Sequence, residues 1–340
     1  MKLNVYSFGS ALVDIQVQVD DEIFQELGLE KGNMYLTERS RQEQVLKRLL
    51  GSEELSLDRI SQQLKTAAGG SAANTVYGVV QLGGRAGLCG AVSDDAFGAL
   101  YQRDMAASGV LFAPRLRSGM SGTCLVLLSA DAQRTMLTCL GVSSEIEKDD
   151  IDVRQLEGSD YIYLEGYLFD SDMATETMLH AISLAKRAGV KVAFTASDAF
   201  CIDRHRDIFL KIIKEDVDLL FANAQEARAL TGAAETDAAL LELGGMCAGV
   251  ALTDGEQGSI LRINNTTVRV APHKVAALDT TGAGDSYAAG LLYGLTNGCS
   301  LERSGEIASF FSARVVSMMG PRFIGNIRDE VQACVLLADL

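Results

Sequence analysis

From about residue 160 the chain alternates short apolar runs with amphipathic stretches of helical period, and this alternation constrains the fold more than any other feature. Segments 160–165 (DYIYLE), 191–196 (KVAFTA), 217–223 (VDLLFAN) and 249–254 (GVALTD) read as strands. Segments 172–188, 203–215 and 235–246 read as helices, and another helix opens at Asn223. Strands with so little polar content are buried on both faces, which implies a mostly parallel sheet with helices on either side. Such sheets bind ligands at the carboxyl ends of their strands. Glu165, Ser197, Asp198, Asn223 and Thr253 therefore fall on the expected working edge.

The first 140 residues follow a different rule. VDIQVQVD (13–20) alternates cleanly and predicts a strand with one wet face. MYLTE (34–38), TCLVLLS (123–129) and RTMLTCL (134–140) read as further strands, the last two joined by the turn-like ADAQ. Helix-like stretches lie at 38–50, 55–66, 71–82 and 96–108. Strands without crossover helices suggest a small separate sheet, contributed by about 12–38 and 110–140 and placed as a lid over the carboxyl edge. No Pro/Ser-rich linker or repeat divides the chain, so residues 1–340 are expected to form one domain with this lid.

A formal charge of -15 with no basic patch argues against nucleic acid or an anionic membrane as partner. The seven cysteines are scattered and the three histidines isolated, which points to reduced, mostly buried thiols and no zinc site. The start has no signal-peptide pattern and no run approaches the length of a membrane span, so a cytoplasmic location is expected.

Two glycine-containing segments carry chemistry. In DTTGAGDSYAAGLLYGL (279–295), Gly282, Ala283 and Gly284 can expose consecutive N–H groups at a helix start, an anion hole aided by the helix dipole. Asp285 sits in the first turn, where a carboxylate either complements the dipole or takes a proton from a hydroxyl attacking a bound phosphoryl group. In AAGGSAANTVYGVV (67–80), Gly69 and Gly70 allow close backbone approach, and Asn74 can bind a diol or simply sit on a helix surface. Neither a G-x-x-x-x-G-K-[ST] loop nor an early G-x-G-x-x-G occurs.

In this order and separation the two segments resemble the paired signatures of the ribokinase-like PfkB carbohydrate and nucleoside kinases, and the likeness extends over nearly the whole chain. The resemblance implies a three-layer α/β/α sandwich, Rossmann-like, with a small β-sheet lid. It implies Asp285 as catalytic base, with Gly282, Ala283 and Gly284 stabilising the transferring group. Asp14, Gly69, Gly70 and Asn74 would hold substrate hydroxyls, with Arg134 and Glu165 nearby. Asn223, Thr253, Gly255 and Gly258 would lie along ATP, and Asn223 and Glu226 (NAQE) would organise Mg2+ through water. Asp279 and Thr281 occupy the neighbourhood where some members hold a monovalent cation such as K+, and MGPR (319–322) looks like part of an adenine wall. KGNMYLTE, YLEGYLFD and FANAQEA are most similar to the adenosine-kinase-like branch.

Three functions remain open on sequence: a kinase of ribonucleosides such as adenosine or inosine, a kinase of ribose, fructose or a related sugar, and a non-catalytic binding protein on the same fold. The last requires loss of Asp285 or the glycines, and both are present. A base slot could come from Met34, Leu127, Leu137, Tyr167 and Phe169, residues that core packing explains equally well. Monomer and homodimer are both compatible with an exposed lid sheet.

Overall fold

The structure is a computed structural model that describes residues 2–131, 133–264 and 266–336. The chain opens on β1 (Leu3–Phe8) and β2 (Leu12–Gln18), then passes through α1 (Glu22–Leu27), β3 (Met34–Leu36), α2 (Arg39–Leu50) and α3 (Leu57–Gln63). It returns along β4 (Lys65–Gly69) into α4 (Ser71–Gln81) and β5 (Ala86–Cys89). β6 (Val92–Ser93), α5 (Ala96–Ser108) and β7 (Leu116–Arg117) precede the hairpin of β8 (Gly122–Leu128) and β9 (Arg134–Cys139). α6 (Val153–Glu157) leads to β10 (Ser159–Glu165), α7 (Asp172–Ala188), β11 (Lys191–Thr195) and α8 (Ala199–Glu215). Next come β12 (Leu219–Asn223), α9 (Ala224–Thr231), α10 (Thr236–Met246), β13 (Gly249–Thr253), β14 (Ser259–Ile263) and β15 (Thr266–Val270). The chain ends in α11 (Ala283–Thr296), α12 (Leu301–Val316) and α13 (Ile327–Val331).

The large sheet runs β15-β14-β13-β12-β11-β10-β1-β5, parallel from β13 to β5 with β14 and β15 antiparallel at one edge. Alternate residues of its strands enter two cores. Tyr161, Tyr163, Leu219 and Phe221 pack on the α4/α11/α12 side. Ile162, Leu164, Leu220 and Leu252 pack on the α7–α10 side. This is the expected three-layer α/β/α arrangement. α7 spans the predicted helix, closed by Gly189 in the left-handed conformation. α8 starts four residues before its predicted onset because Asp198 accepts the Cys201 N–H at 2.7 Å, and it kinks at His205.

The second sheet, β3-β9-β8-β2-β4, forms the lid. The chain first enters it between β1 and β2 and leaves it between β4 and α4, at Gly70, then returns to it for the β8–β9 hairpin. Two expectations change here. The helix predicted at 55–66 stops at Gln63, because Lys65–Gly69 pairs antiparallel with β2 and becomes a strand. The polar face of β2 is also drier than expected: Asp14 and Gln16 are within a few per cent as buried as Val13 and Ile15, and only Gln18 at its end is exposed. Ile15, Leu125, Leu127 and Leu137 pack beneath Phe24, Val45, Leu46 and Ile60 of the three lid helices. The opposite face roofs the cavity described below. The hairpin turn closes with Ser129 N–H donating to the Gln133 carbonyl at 3.0 Å, while Ala132 of ADAQ lies outside the described residues. Four of the cysteines are buried, Cys247 and Cys299 half-buried and Cys334 exposed, all as free thiols. Among the described residues no helix is long and apolar enough to cross a membrane.

Candidate active site

A cavity of about 1110 Å³ lies between the carboxyl ends of the large sheet and the inner face of the lid. Its lining includes Asp14, Gly70, Asn74, Arg134, Glu165, Asn223, Glu226, Thr253, Gly255, Gly258, Thr281, Gly282, Ala283, Gly284 and Asp285. Nearly all the residues singled out in the sequence are thus brought to one space. Gly69 and Asp279 lie just behind the lining, and Asp198 is used up as the α8 cap.

Asp285 is in the first turn of α11. Its oxygens accept from Ser71 Oγ at 2.7 Å and from Asn74 Nδ2 at 3.0 Å. Burial pushes its carboxyl above the usual range, while these two hydrogen bonds and the charges of Arg134 and Arg322 pull it back. A buried carboxylate that still has cationic neighbours is suited to accept a proton near neutral pH. Beside it, Gly282 caps the helix at φ 75°, with Pro321 packed against the position a side chain would fill. The Ala283 N–H makes a long turn bond to the Thr280 carbonyl at 3.3 Å. The N–H groups of Gly282, Gly284 and Asp285 have no acceptor among the described residues, and the space over Gly284 is open. Free N–H groups at a helix start with open space before them form an anion hole.

Asp14 projects from β2 over Gly69, where a Cβ would come within 2.3 Å of its carboxyl carbon. Glycine is required there for the carboxylate to lie against the backbone. Burial raises the Asp14 carboxyl to about 7, opposed by the charges of Arg322 and Arg134. Glu165 ends β10 and is 1% exposed. Its two oxygens accept the N–H groups of Ser10 at 2.7 Å and Ala72 at 2.8 Å. It thereby ties the chain's entry to the lid and its exit from the lid to the large sheet, and burial raises it to about 7. Arg134 reaches the cavity from β9 and makes no hydrogen bond or salt bridge among the described residues.

At the other end, Asn223 and Glu226 form a capping box. Glu226 accepts from the Asn223 N–H at 2.9 Å and from Nδ2 at 2.6 Å, and burial raises its carboxyl to about 7. Gly255 (φ 51°) and Gly258 (φ 88°) turn the β13–β14 connection along the cavity wall. Asp279 accepts from the Thr281 N–H and hydroxyl at 2.9 and 2.6 Å and from the Gly320 N–H at 2.7 Å. With three protein donors on its carboxylate, Asp279 works as an internal turn lock beside the anion hole.

The roof differs from the expected base slot. Met34 and Tyr167 do line the cavity, but Leu127 and Leu137 face the lid's own core, and Phe169 packs on Phe194 and Phe209. The roof is built instead from Leu12, Leu36, Cys124, Val126 and Met136, one residue out of step with the expected pair on β8 and β9. Period-two alternation makes that single step the difference between opposite faces. Met319–Arg322 lines no part of the cavity and braces the anion hole from behind. Sequence reasoning missed Ser71 as a partner of Asp285 and Ser10 as a partner of Glu165. Ser71 carries a signal, since it is spaced i, i+3 from Asn74 on one helix face.

The profile described as pfkB family carbohydrate kinase matches residues 45–326. The chain is 25% identical to a fructokinase of Escherichia coli over 69% of its length and 79% of that protein's. It resembles the structure of a probable sugar kinase from Rhizobium etli, with 30% identity, 99% and 100% of the two chains covered and a TM-score of 0.92. An adenosine kinase structure from Sinorhizobium meliloti matches with 35% identity, coverage of 98% and 99%, and a TM-score of 0.90.

Proposed function

The chain belongs to the PfkB family of carbohydrate kinases, and from that premise we propose that it moves the γ-phosphate of MgATP to the primary hydroxyl of a ribonucleoside. Asp285 accepts the hydroxyl proton. The N–H groups at the start of α11, with Arg134 above them, hold charge on the transferring group. Asp14 and Asn74 orient the acceptor's diol. MgATP supplies the phosphoryl group when bound. A single carboxylate held by its capping amide, Glu226 with Asn223, fits a Mg2+ that rides on the nucleotide phosphates and is reached through water.

One observation carries the acceptor class. Met34, Leu36, Cys124, Val126 and Met136 form an apolar roof on the same face of the lid as Asp14. A planar base fills such a slot, whereas a lone sugar leaves it wet. Likeness to the Sinorhizobium adenosine kinase supports the same reading. A sugar acceptor is the second reading, supported by the likeness to fructokinase.

The test is ADP release from MgATP with adenosine, inosine, guanosine, cytidine, ribose and fructose, with Asp285→Asn alongside. Purine nucleoside turnover that falls roughly 10²–10⁴-fold in the variant is the expected result. Turnover of sugars alone overturns the acceptor. Near-normal turnover by the variant overturns the base.

A further inference from the structure

One face of α4 presents Ser71, Asn74 and Tyr77 at successive three-residue steps. Ser71 and Asn74 both donate to Asp285, at 2.7 and 3.0 Å. The other end of the Asn74 amide, Oδ1, accepts from Arg322 Nε at 3.0 Å. The Arg322 guanidinium lies over the Tyr77 ring, 4.6 Å from its centroid. Arg322 therefore stands one amide away from the catalytic carboxylate, held in plane by an aromatic face of the same helix.

Its neighbours anchor it further. Gly320 donates its N–H to Asp279, and Pro321 packs behind Gly282. Three consecutive residues of this segment thus brace the turn before the anion hole, the glycine that opens it, and the amide that holds the base. Arg134 also carries positive charge toward Asp285, but from the lid. Arg322 belongs to the body that carries Asp285 itself.

We propose that Arg322 is a positioning residue for phosphoryl transfer, which through Asn74 orients the Asp285 carboxylate and preserves its charge. The proposal rests on the reading of Asp285 as base. With Oδ1 facing a guanidinium, Asn74 can only turn its NH2 toward Asp285, so Arg322 dictates which end of the amide the base meets. One N–H of Asn74 remains for an acceptor. The guanidinium charge opposes the burial that raises the carboxyl, as does Arg134. Asp14 of β2, Tyr101 of α5, Tyr163 and Glu165 of β10, and Asp279 near Asp14 are acidic groups turned toward this centre.

The sign follows. Removing Arg322 raises the Asp285 carboxyl and protonates the base at pH values where the native enzyme is active. The test uses full-length protein with 13C-labelled aspartate carboxyls, the Asp285 resonance being identified by its loss in Asp285→Asn. In Arg322→Met the Asp285 midpoint is expected to rise by about half to one pH unit. The acid limb of kcat/KM, measured with the best acceptor, moves with it, and the plateau kcat falls roughly tenfold through lost orientation. Arg322→Lys restores the charge but not the planar fork, so it returns the midpoint toward native while kcat stays low.

A merely structural Arg322 predicts a lower Tm with the Asp285 midpoint unchanged, and that result overturns the proposal. The carboxyl titration needs no acceptor, so it decides the matter even if the nucleoside reading fails. If Asp285→Asn keeps its activity, the base reading falls, whatever Arg322 does. If Asp285→Asn is inactive and Arg322→Met leaves midpoint and kcat in place, the relay alone falls.

Discussion

The large sheet and the lid are both buried on two faces, yet for different reasons. Strands β10 to β13 lie between helical layers, and their central side chains meet hydrocarbon on one side or the other. The lid strands meet helices on one face only. Their second face meets the cavity, so it mixes Asp14 and Arg134 with Cys124, Val126 and Met136. Burial in the first region serves packing, except at the carboxyl ends of the strands, where residues such as Glu165 and Asn223 face the cavity. In the second, Val13 and Ile15 of β2 serve packing while Asp14 between them faces the cavity, the two jobs one residue apart.

That contrast is sharpest at Met136 and Leu137, adjacent on β9 and pointing opposite ways. Leu137→Ala is expected to cost about 2–5 kcal/mol of stability, since the side chain is 2% exposed in the lid core. Met136→Ala should leave Tm closer to native and raise the acceptor KM about tenfold or more. Denaturant unfolding and steady-state kinetics of the pair check this. Equal losses of stability with unchanged KM would make the roof ordinary core.

Asp14 offers a smaller effect that also separates the regions. Its carboxyl is raised from 3.8 to about 7 in the folded protein. A folded carboxyl that keeps its proton longer than the unfolded one stabilises fully below about 3.8, and this contribution is lost as pH rises through about 7. Asp14→Asn removes the loss. Its stability relative to the native protein should improve by about 1–3 kcal/mol between pH 4 and pH 8. A constant difference across that range contradicts the buried, ionising Asp14.

The smallest effect comes from glycine. Gly245, exposed in α10 with open space at its Cβ position, should accept alanine with a gain of about 0.5–1 kcal/mol. The same change at Gly69 drives a methyl into the Asp14 carboxyl and should lower Tm. A matching sign in thermal melts of the two variants would erase the distinction between hinge and scaffold.

The large sheet was legible because its signal is local. Each strand is a short apolar run, each helix ends in a cap such as Gly189 or starts at one such as Asn223, and the two periods differ. Asp285 and the Gly282–Gly284 turn were legible for the same reason, being four consecutive residues at one helix start. The lid was partly misread because a period-two pattern reports that two faces differ, not what each meets. β2 looked half wet, and its polar face turned out to be buried over the cavity. Lys65 and Thr66 looked like the end of a helix until β2 supplied a pairing partner.

By itself, then, the sequence determined the alternating scaffold and the glycine-rich helix start that carries Asp285, since backbone propensity, capping and glycine freedom act over a few residues. Tertiary structure decided which face of the lid became the roof, that Glu165 fastens the first entry to the lid and the first exit from it, and that Arg322 stands behind Asn74. Those contacts join positions 93 to 248 residues apart, and only the packing of strands and helices into one body brings such distant groups within hydrogen-bonding reach.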